Sequence, residues 1–365
     1  MALQCGIVGL PNVGKSTLFN ALSNAKAQAA NFPFCTKEPN IGIMNVPDAR
    51  LTKLTEIANP QNVLPATIEI HDIAGLIKGA SKGEGLGNQF LANIRTTNAI
   101  LHVLRCFEDD NVTHVDGSVD PIRDKEIIDM ELQFKDLETV ENRMSKVARS
   151  AKSGDKEAKK EYEALEKAKA LLENAKSLRS GEWTEYEAEI LHELQFLTLK
   201  PVMYVCNVDE DSVVDGNDWV EKVKELVKDE DAEIMIISAQ IESEIADLES
   251  FEDRKEFLGD LGLEQSGAEK LIQGAYKLLN YITYFTVGEK EVRAWTITKG
   301  DTAPQAAGVI HTDFEKGFIK AEVIGYDDYV SFGSELKVKE AGKLSVEGKE
   351  YIVKDGDCMH FRFNV

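Results

Sequence analysis

The sequence GLPNVGKST at residues 9–17 lies between a short apolar run, Leu3 to Gly9, and a helix-like segment, Thr17 to Leu22. It matches the pattern Gly-x-x-x-x-Gly-Lys-Ser in the strand-to-helix context that a phosphate-binding loop requires. Its glycines let backbone N–H groups turn inward around phosphate oxygens, and the helix start adds the positive end of its dipole. The stretch therefore predicts a P-loop nucleoside triphosphatase.

Two side chains of this loop carry the expected chemistry. Lys15 should reach the β- and γ-phosphates, and the Ser16 hydroxyl should be a ligand of Mg²⁺. The loop residues expected to contact the nucleotide are Asn12, Val13, Gly14, Lys15, Ser16 and Thr17.

Short runs rich in β-branched residues recur along the chain with helix-length segments between several of them. They are Leu3 to Gly9, Thr67 to Asp72, Ala99 to Phe107, Val202 to Val208 and Ile234 to Ser238. This alternation predicts a parallel α/β sheet.

The region 128–199 has a different amino-acid composition and is rich in Ala, Glu, Lys and Leu. Met130, Phe134, Leu137 and Met144 keep the spacing of a helical seam, as Leu165, Leu172 and Leu178 do less strictly. The polar stretch 149–156 lies between these seams, so we expect an antiparallel helical hairpin with its tip there.

Beyond Leu279 the chain predicts a small, mostly β domain. Its strand candidates are Tyr281 to Val287, Val292 to Ile297, Gly317 to Ile324 and Lys349 to Val353. The predicted domains are therefore 1–127 with 200–280 for the nucleotide, 128–199 for the hairpin, and 281–365.

Further site residues follow from the strand ends. Asp72 ends the second run, so its carboxylate should face the crevice of the phosphate loop and hold Mg²⁺ through a water. Gly75 leaves its N–H available for the γ-phosphate, and we place it among the catalytic groups with Lys15. Thr36, in the long segment between these motifs, is expected to complete the Mg²⁺ shell.

The base should lie between 207–210 and Ser238-Ala239, which follow the fourth and fifth runs. GTPases generally carry Asn-Lys-x-Asp at the first of these places, whereas this chain has Val208 and Glu210 around Asp209. The longer carboxylate is not placed to pair with guanine, and binding sites discriminate strongly against unmatched polar groups. We therefore expect Asn207 and backbone near Val208 to meet an adenine edge; a degenerate guanine site is the alternative.

Composition limits the remaining possibilities. The formal net charge of −22 opposes unspecific attraction to polyphosphates, so any nucleic-acid contact must be local. The five cysteines are scattered singly, which favours a reducing compartment. No stretch approaches the roughly 18 apolar residues that span a bilayer, so we expect a cytoplasmic protein without membrane contact.

Taken together, these motifs resemble the YchF family of Obg-related ATPases over essentially the whole chain. The specific marks are GLPNVGKST (9–17), NFPFCTKEPN (31–40), DIAGLIKGASKGEGLGN (72–88), NVDE (207–210) and GVIHTDFEKGFI (308–319). The resemblance implies a Ras-like nucleotide domain interrupted by the hairpin, and a C-terminal TGS domain of β-grasp type. It also implies a preference for ATP over GTP, dependence on Mg²⁺ and association with ribosomes.

Activation of the attacking water is the open question of the mechanism. Ras-type enzymes place a glutamine after Asp-x-x-Gly, and this chain has Leu76, whose apolar side chain cannot orient water. His114, in the polar loop 108–118, is a candidate for that task; a solvent-facing loop histidine is the alternative. Asn12 resembles the asparagine that holds K⁺ in potassium-activated relatives, with a turn-forming residue as its alternative.

The partners expected are ATP, GTP more weakly, and the ribosome, bound by a monomer. RNA contacts are expected at the hairpin tip and in the C-terminal domain, through Lys152, Lys156, Lys159, Lys160, Arg293 and Lys299. The alternatives are a GTPase of the same fold, or a ribosome- or RNA-binding protein in which nucleotide is mainly structural. A metabolic kinase is disfavoured because the sequence shows no identifiable pocket for a second substrate.

Overall fold

The computed structural model describes residues 4–27, 40–73, 86–109, 111–112, 114–115, 117–230, 232–248 and 250–364. The strands are β1 (Gln4–Val8), β2 (Ile41–Asn45), β3 (Asn62–Leu64), β4 (Thr67–Asp72), β5 (Ala99–Arg105), β6 (Val202–Asn207), β7 (Glu233–Ile237), β8 (Tyr281–Val287), β9 (Glu291–Thr298), β10 (Phe318–Gly325), β11 (Ser345–Glu347) and β12 (Asp357–Phe363). The helices are α1 (Lys15–Ala27), α2 (Ala49–Ala58), α3 (Leu86–Thr96), α4 (Pro121–Lys152), α5 (Lys156–Glu173), α6 (Glu185–Glu193), α7 (Asp218–Val227), α8 (Ala239–Asp247), α9 (Phe251–Asp260), α10 (Gly267–Leu278), α11 (Ala303–Ile310), α12 (Thr312–Lys316), α13 (Tyr326–Phe332) and α14 (Glu335–Glu340). Short 3-10 turns lie at Leu178–Ser180 and Glu210–Ser212.

The chain divides into two compact units. The first contains the described residues of Leu3–Ile43 and Glu69–Leu271, and the second those of Met44–Ile68 and Ile272–Val365. The predicted boundaries placed 44–68 with the nucleotide domain. The structure groups it with the C-terminal residues because β3 pairs in parallel with β9.

The first unit is built on a sheet of order β2-β4-β1-β5-β6-β7. Neighbours from β4 to β7 pair in parallel, which confirms the predicted parallel sheet. β5 and β6 are buried along their whole length, as expected for central strands covered on both faces. Parallel strands end at one edge, so the segments after β1, β4, β6 and β7 meet there.

Two long helices, α4 and α5, follow the third parallel strand and form what we call the helix pair. Asp120 caps α4 and Asp155 caps α5, each by accepting two backbone N–H groups, and only 153–155 separates the helices. Val140, Leu165, Ala168 and Leu172 form the apolar contact of the pair.

The predicted seam of the helix pair was partly wrong. Leu137 and Met144 pack against its apolar cluster, but Met130 and Phe134 are each 49% exposed. The helix begins seven residues earlier than the predicted segment, at Pro121, and its first turns bury Asp124, Lys125, Ile128 and Leu132 instead. Leu178 is buried, but in a 3-10 turn beyond α5.

The second unit contains a sheet of order β11-β10-β12-β8-β9-β3. Three of the predicted C-terminal strands correspond to β8, β9 and β10. The fourth prediction, Lys349 to Val353, was wrong: Ile352 makes only an isolated bridge to Thr302, while β12 lies further on at Asp357–Phe363. Tyr284, Ile297, Phe318 and Met359 belong to the core of this unit.

Candidate functional site

The phosphate loop follows β1 and runs into α1, as its sequence predicts. Its backbone takes conformations with positive φ at Asn12 (62°) and Gly14 (96°). A Cβ on Gly14 would lie 2.2 Å from Asn207 Nδ2, so only glycine fits this close approach. The Leu18 N–H donates to the Gly14 carbonyl, so α1 starts directly at the loop and directs its N-terminus toward it.

Lys15 is held inside the loop. Its side chain is 6% exposed, and Nζ donates to the Leu10 carbonyl at 2.8 Å. Burial lowers the pKa of Lys15 to about 8, and the nearby Asp72 carboxylate opposes that shift. A buried ammonium group with one carbonyl partner is poised for an anionic ligand, because phosphate oxygens would stabilise its charge.

Ser16 and Asp72 bring a hydroxyl and a carboxylate together from α1 and the end of β4. The Ser16 hydroxyl donates to Asp72 Oδ2 at 3.1 Å, and Asp72 Oδ1 is buried without a hydrogen-bond partner in the described residues. Burial raises the pKa of Asp72, while the Ser16 hydrogen bond and Lys15 oppose this. These oxygens fit Mg²⁺, a cation that prefers a few hard protein ligands together with water and phosphate.

No group of three or more His, Cys, Asp or Glu residues able to hold a metal ion occurs in the part of the chain that the structure describes.

Asn207 ties together the loops that surround the predicted base site. Its Nδ2 donates to the Val13 carbonyl at 2.9 Å, and its Oδ1 accepts the Ala239 N–H at 2.9 Å. The side chain is 3% exposed. Both polar atoms of the amide therefore contact protein backbone, which makes Asn207 a positioning residue; contact with an adenine edge stays a prediction.

The other predicted base-site residues lie around Asn207. Val208 is buried, and its N–H donates to the Ile237 carbonyl. Ser238 is the N-cap of α8, and Ala239 begins that helix. Glu210 is exposed in the 3-10 turn that Asp209 caps.

His114 differs from both predicted environments, a mobile catalytic loop and a solvent-facing one. It is 6% exposed, and its Nε2 lies 2.8 Å from Asp124 Oδ2 at the start of α4. Arg123 approaches the other ring nitrogen at 3.4 Å. The histidine is therefore held against α4 by a charged partner.

Sequence reasoning missed Arg105, which organises the segment before His114. Arg105 is buried at the end of β5 and donates to the carbonyls of Phe107, Asp109 and Val112. Its guanidinium also lies over the Phe107 ring, 4.7 Å from the centroid. An arginine at the end of a mostly apolar run was the available signal, since a buried guanidinium requires several acceptors.

Several predicted features lie outside the described residues or away from the loop. Thr36, Gly75 and Leu76 are outside the described ranges. Lys152, Lys156, Lys159 and Lys160 at the tip and Lys299 in the second unit are exposed, and their contact with RNA stays a prediction. Arg293 is half-buried and stacks on Trp295 at 3.7 Å from the ring centroid. Among the described helices, none has the length and apolar character needed to cross a membrane.

Two family models and several full-length relatives match this chain. Residues 4–143 match a family model described as 50S ribosome-binding GTPase, and residues 281–364 match the YchF GTPase C-terminal family, described as a protein of unknown function. The ribosome-binding ATPase YchF of Bacillus subtilis is 55% identical over 367 residues, and that of Haemophilus ducreyi is 56% identical over 365 residues; each alignment covers 100% of both chains. The solved YchF GTPase of Schizosaccharomyces pombe superposes with a TM-score of 0.90 at 40% identity, covering 99% of this chain and 97% of that one.

Proposed function

The chain belongs to the YchF family, and from that membership we propose that it is a Mg²⁺-dependent, ATP-hydrolysing switch that binds the ribosome. Its nucleoside triphosphatase activity and ribosome binding follow the names of relatives aligned over the full chain. The observation that carries the chemistry is the loop 9–17, with buried Lys15 beside the Ser16–Asp72 pair.

The phosphates and metal are assigned to residues at the carboxyl edge of the first unit's sheet. Lys15 would bind the β- and γ-phosphates, and Ser16 with Asp72 would hold Mg²⁺, Asp72 through a water. The cation supplies neutralisation of charge that develops on the phosphoryl oxygens. Thr36 as a further ligand and the Gly75 N–H as a γ-phosphate donor belong to the same proposal.

A preference for ATP over GTP is the finer part of the proposal. Glu210 replaces the shorter aspartate of guanine-binding loops, and Val208 replaces the lysine that stacks along the guanine ring. Asn207, Val208, Glu210, Ser238 and Ala239 would frame the adenine. The name GTPase on the Schizosaccharomyces pombe structure keeps a guanine site as the second candidate.

We propose that His114 activates the attacking water and that a K⁺ ion near Asn12 assists hydrolysis. His114 is held by Asp124, so reaching a γ-phosphate would require release from that contact. Asn12 is exposed on the loop with φ of 62°, where an oxygen could face a cation beside the phosphates.

Ribosome and RNA contacts are proposed for the accessory parts. The helix pair would be the hairpin insertion, and the second unit would contain the TGS domain. Basic residues of these two parts would bind RNA. The protein would be a cytoplasmic monomer. Charge reversal at the tip lysines together with Arg293 and Lys299 should weaken ribosome binding and flatten its salt dependence.

Competition between nucleotides tests the activity. A fluorescent ADP analogue bound by the purified chain should be displaced by ATP at lower concentration than by GTP, and ATP should be hydrolysed only with Mg²⁺. Lys15→Ala should abolish hydrolysis, whereas Lys228→Ala, at an exposed position, should not. Normal turnover by Lys15→Ala would end the P-loop assignment, and tighter GTP binding would favour the GTPase.

A further inference from the structure

His114 and Asp124 form a buried contact between the segment that follows β5 and the first turn of α4. Their side chains are 3% and 1% exposed, and His114 Nε2 lies 2.8 Å from Asp124 Oδ2. The guanidinium of Arg123 approaches Nδ1, the other ring nitrogen, at 3.4 Å. One neutral tautomer satisfies both contacts: with its proton on Nε2, the ring donates to Asp124 and accepts from Arg123 at Nδ1.

This arrangement prevents His114 from activating water in its present position. A general base needs an unprotonated nitrogen within hydrogen-bond reach of the proton that it abstracts. In a catalytic triad a carboxylate also binds the histidine, but the second ring nitrogen faces the reacting group. Here the second nitrogen faces Arg123, so residues of α4 contact both ring nitrogens. The histidine therefore lies in a resting position rather than in a catalytic dyad.

The carboxylate of Asp124 is fixed by contacts that do not involve the histidine. Asp124 Oδ1 accepts from Arg123 Nε and Nη2 at 3.2 and 3.0 Å. The next residue, Lys125, pairs with Asp129 on the same helix and with Glu230 beyond α7, at 2.6 and 2.7 Å. The start of α4 would therefore stay in place when His114 leaves it.

The segment that carries His114 is held at both ends without the carboxylate. Before the histidine, Arg105 donates to three backbone carbonyls. After it, Arg123 Nη2 donates to the Ser118 carbonyl at 2.7 Å. Loss of the Asp124 carboxylate would therefore release the imidazole and leave these backbone contacts intact.

We propose that Asp124 is an autoinhibitory latch, which holds His114 at rest and must release it before ATP is hydrolysed. The inference rests on the role proposed for His114 and specifies how that role is regulated. Only molecules with a released histidine would hydrolyse ATP, so weakening the latch should increase the rate. Asp124 is thus a positioning residue, and its removal should change the rate in the opposite direction from loss of a catalytic group.

Single-turnover hydrolysis of ATP by the full chain, with Mg²⁺ and without ribosomes, tests the latch. Asp124→Ala should raise the rate by about 10-fold while ATP affinity is retained. A tenfold change corresponds to about 1.4 kcal/mol, close to the lower end for a hydrogen bond to a charged group. Asp124→Asn, which keeps the volume and can still form a hydrogen bond, should give a smaller increase.

Asp129→Asn is the matched control, because it removes a carboxylate from the same helix that pairs with Lys125 rather than with His114. Its rate should equal that of the unmodified chain. Thermal unfolding shows whether each variant keeps its fold, and Asp124→Asn carries the comparison if the alanine variant does not.

The double variant His114→Ala/Asp124→Ala shows whether the gain passes through the histidine. It should hydrolyse ATP at the low rate of His114→Ala, because the group to be released is missing. A gain that persists in the double variant would overturn the latch. A folded Asp124→Ala or Asp124→Asn variant with an unchanged or lower rate would overturn it too. If His114→Ala itself kept the normal rate, the role proposed for the histidine would fail, and the latch with it.

Discussion

Replacing Asn207 by alanine removes the bridge between the phosphate loop and the start of α8. In the structure the amide accepts the Ala239 N–H and donates to the Val13 carbonyl, both at 2.9 Å and away from water. Asn207→Ala therefore leaves a buried donor and a buried acceptor without their partner.

The size of the effect follows from those two groups. Each buried backbone group left unsatisfied costs about 1–3 kcal/mol, so the free energy of unfolding should fall by roughly 2–6 kcal/mol. The loop also loses its fixed position beside Gly14. Because the amide acts on the loops, affinities for ATP, ADP and GTP should all fall by a similar factor.

Urea unfolding without nucleotide, followed by titration with the three nucleotides, measures both quantities. Asn174→Ala is a suitable control, since Asn174 is exposed at the end of α5. Unchanged unfolding with a selective loss of ATP affinity would refute the positioning role and indicate a direct base contact by Asn207.

Three further predictions concern charge and turnover. Lys15→Met should abolish nucleotide binding yet stabilise the nucleotide-free protein at pH 7, because burial lowers the pKa of Lys15 from 10.5 to about 8. At about 1.4 kcal/mol per pKa unit, this difference corresponds to a gain of ~3.5 kcal/mol in the free energy of unfolding. Because the folded pKa is the lower one, the burial penalty is complete below pH 8 and lost toward pH 10.5, so urea unfolding at pH 10 should show a much smaller gain; an equal gain at both pH values would contradict this. His114→Ala should lower turnover strongly while nucleotide affinity is retained, and unchanged turnover would remove His114 from the mechanism. K⁺ should accelerate ATP hydrolysis relative to Na⁺, and equal rates would favour a turn-forming role for Asn12.

The parallel sheet and the phosphate loop were predictable because their signals are local. Apolar runs such as Ala99 to Phe107 mark buried strands, and the Gly-x-x-x-x-Gly-Lys-Ser spacing reports a backbone geometry with few alternatives. The same reasoning placed Ser16 beside Asp72, since parallel strands and the loop share one edge.

The features that escaped prediction depend on contacts between distant residues. The segment 44–68 belongs to the second unit because Asn62–Leu64 pairs with β9. The two strands are more than 200 positions apart in the sequence, and the hydrophobic pattern of 62–64 does not indicate its partner. Val353 is buried although it does not belong to a strand, so the segment Lys349 to Val353 has the sequence pattern of a strand without forming one.

The sequence also did not indicate the hydrogen-bond partners of Asn207 and His114. The amide of Asn207 could have faced a base, and only the structure places Val13 and Ala239 against it. His114 lies in a polar stretch that reads as exposed, yet Asp124 satisfies the ring and permits its burial.

Ribosome co-sedimentation of the unmodified chain in a non-hydrolysable ATP analogue, in ADP and without nucleotide tests the central claim most directly. A nucleotide-controlled switch should bind ribosomes with affinities that differ between the ATP and ADP states by about 5-fold or more, the usual range of coupling between two sites. By reciprocity, ribosomes should change the relative affinities for the ATP analogue and ADP by the same factor. Equal ribosome affinity in all three conditions would contradict the switch and leave the nucleotide with a structural role.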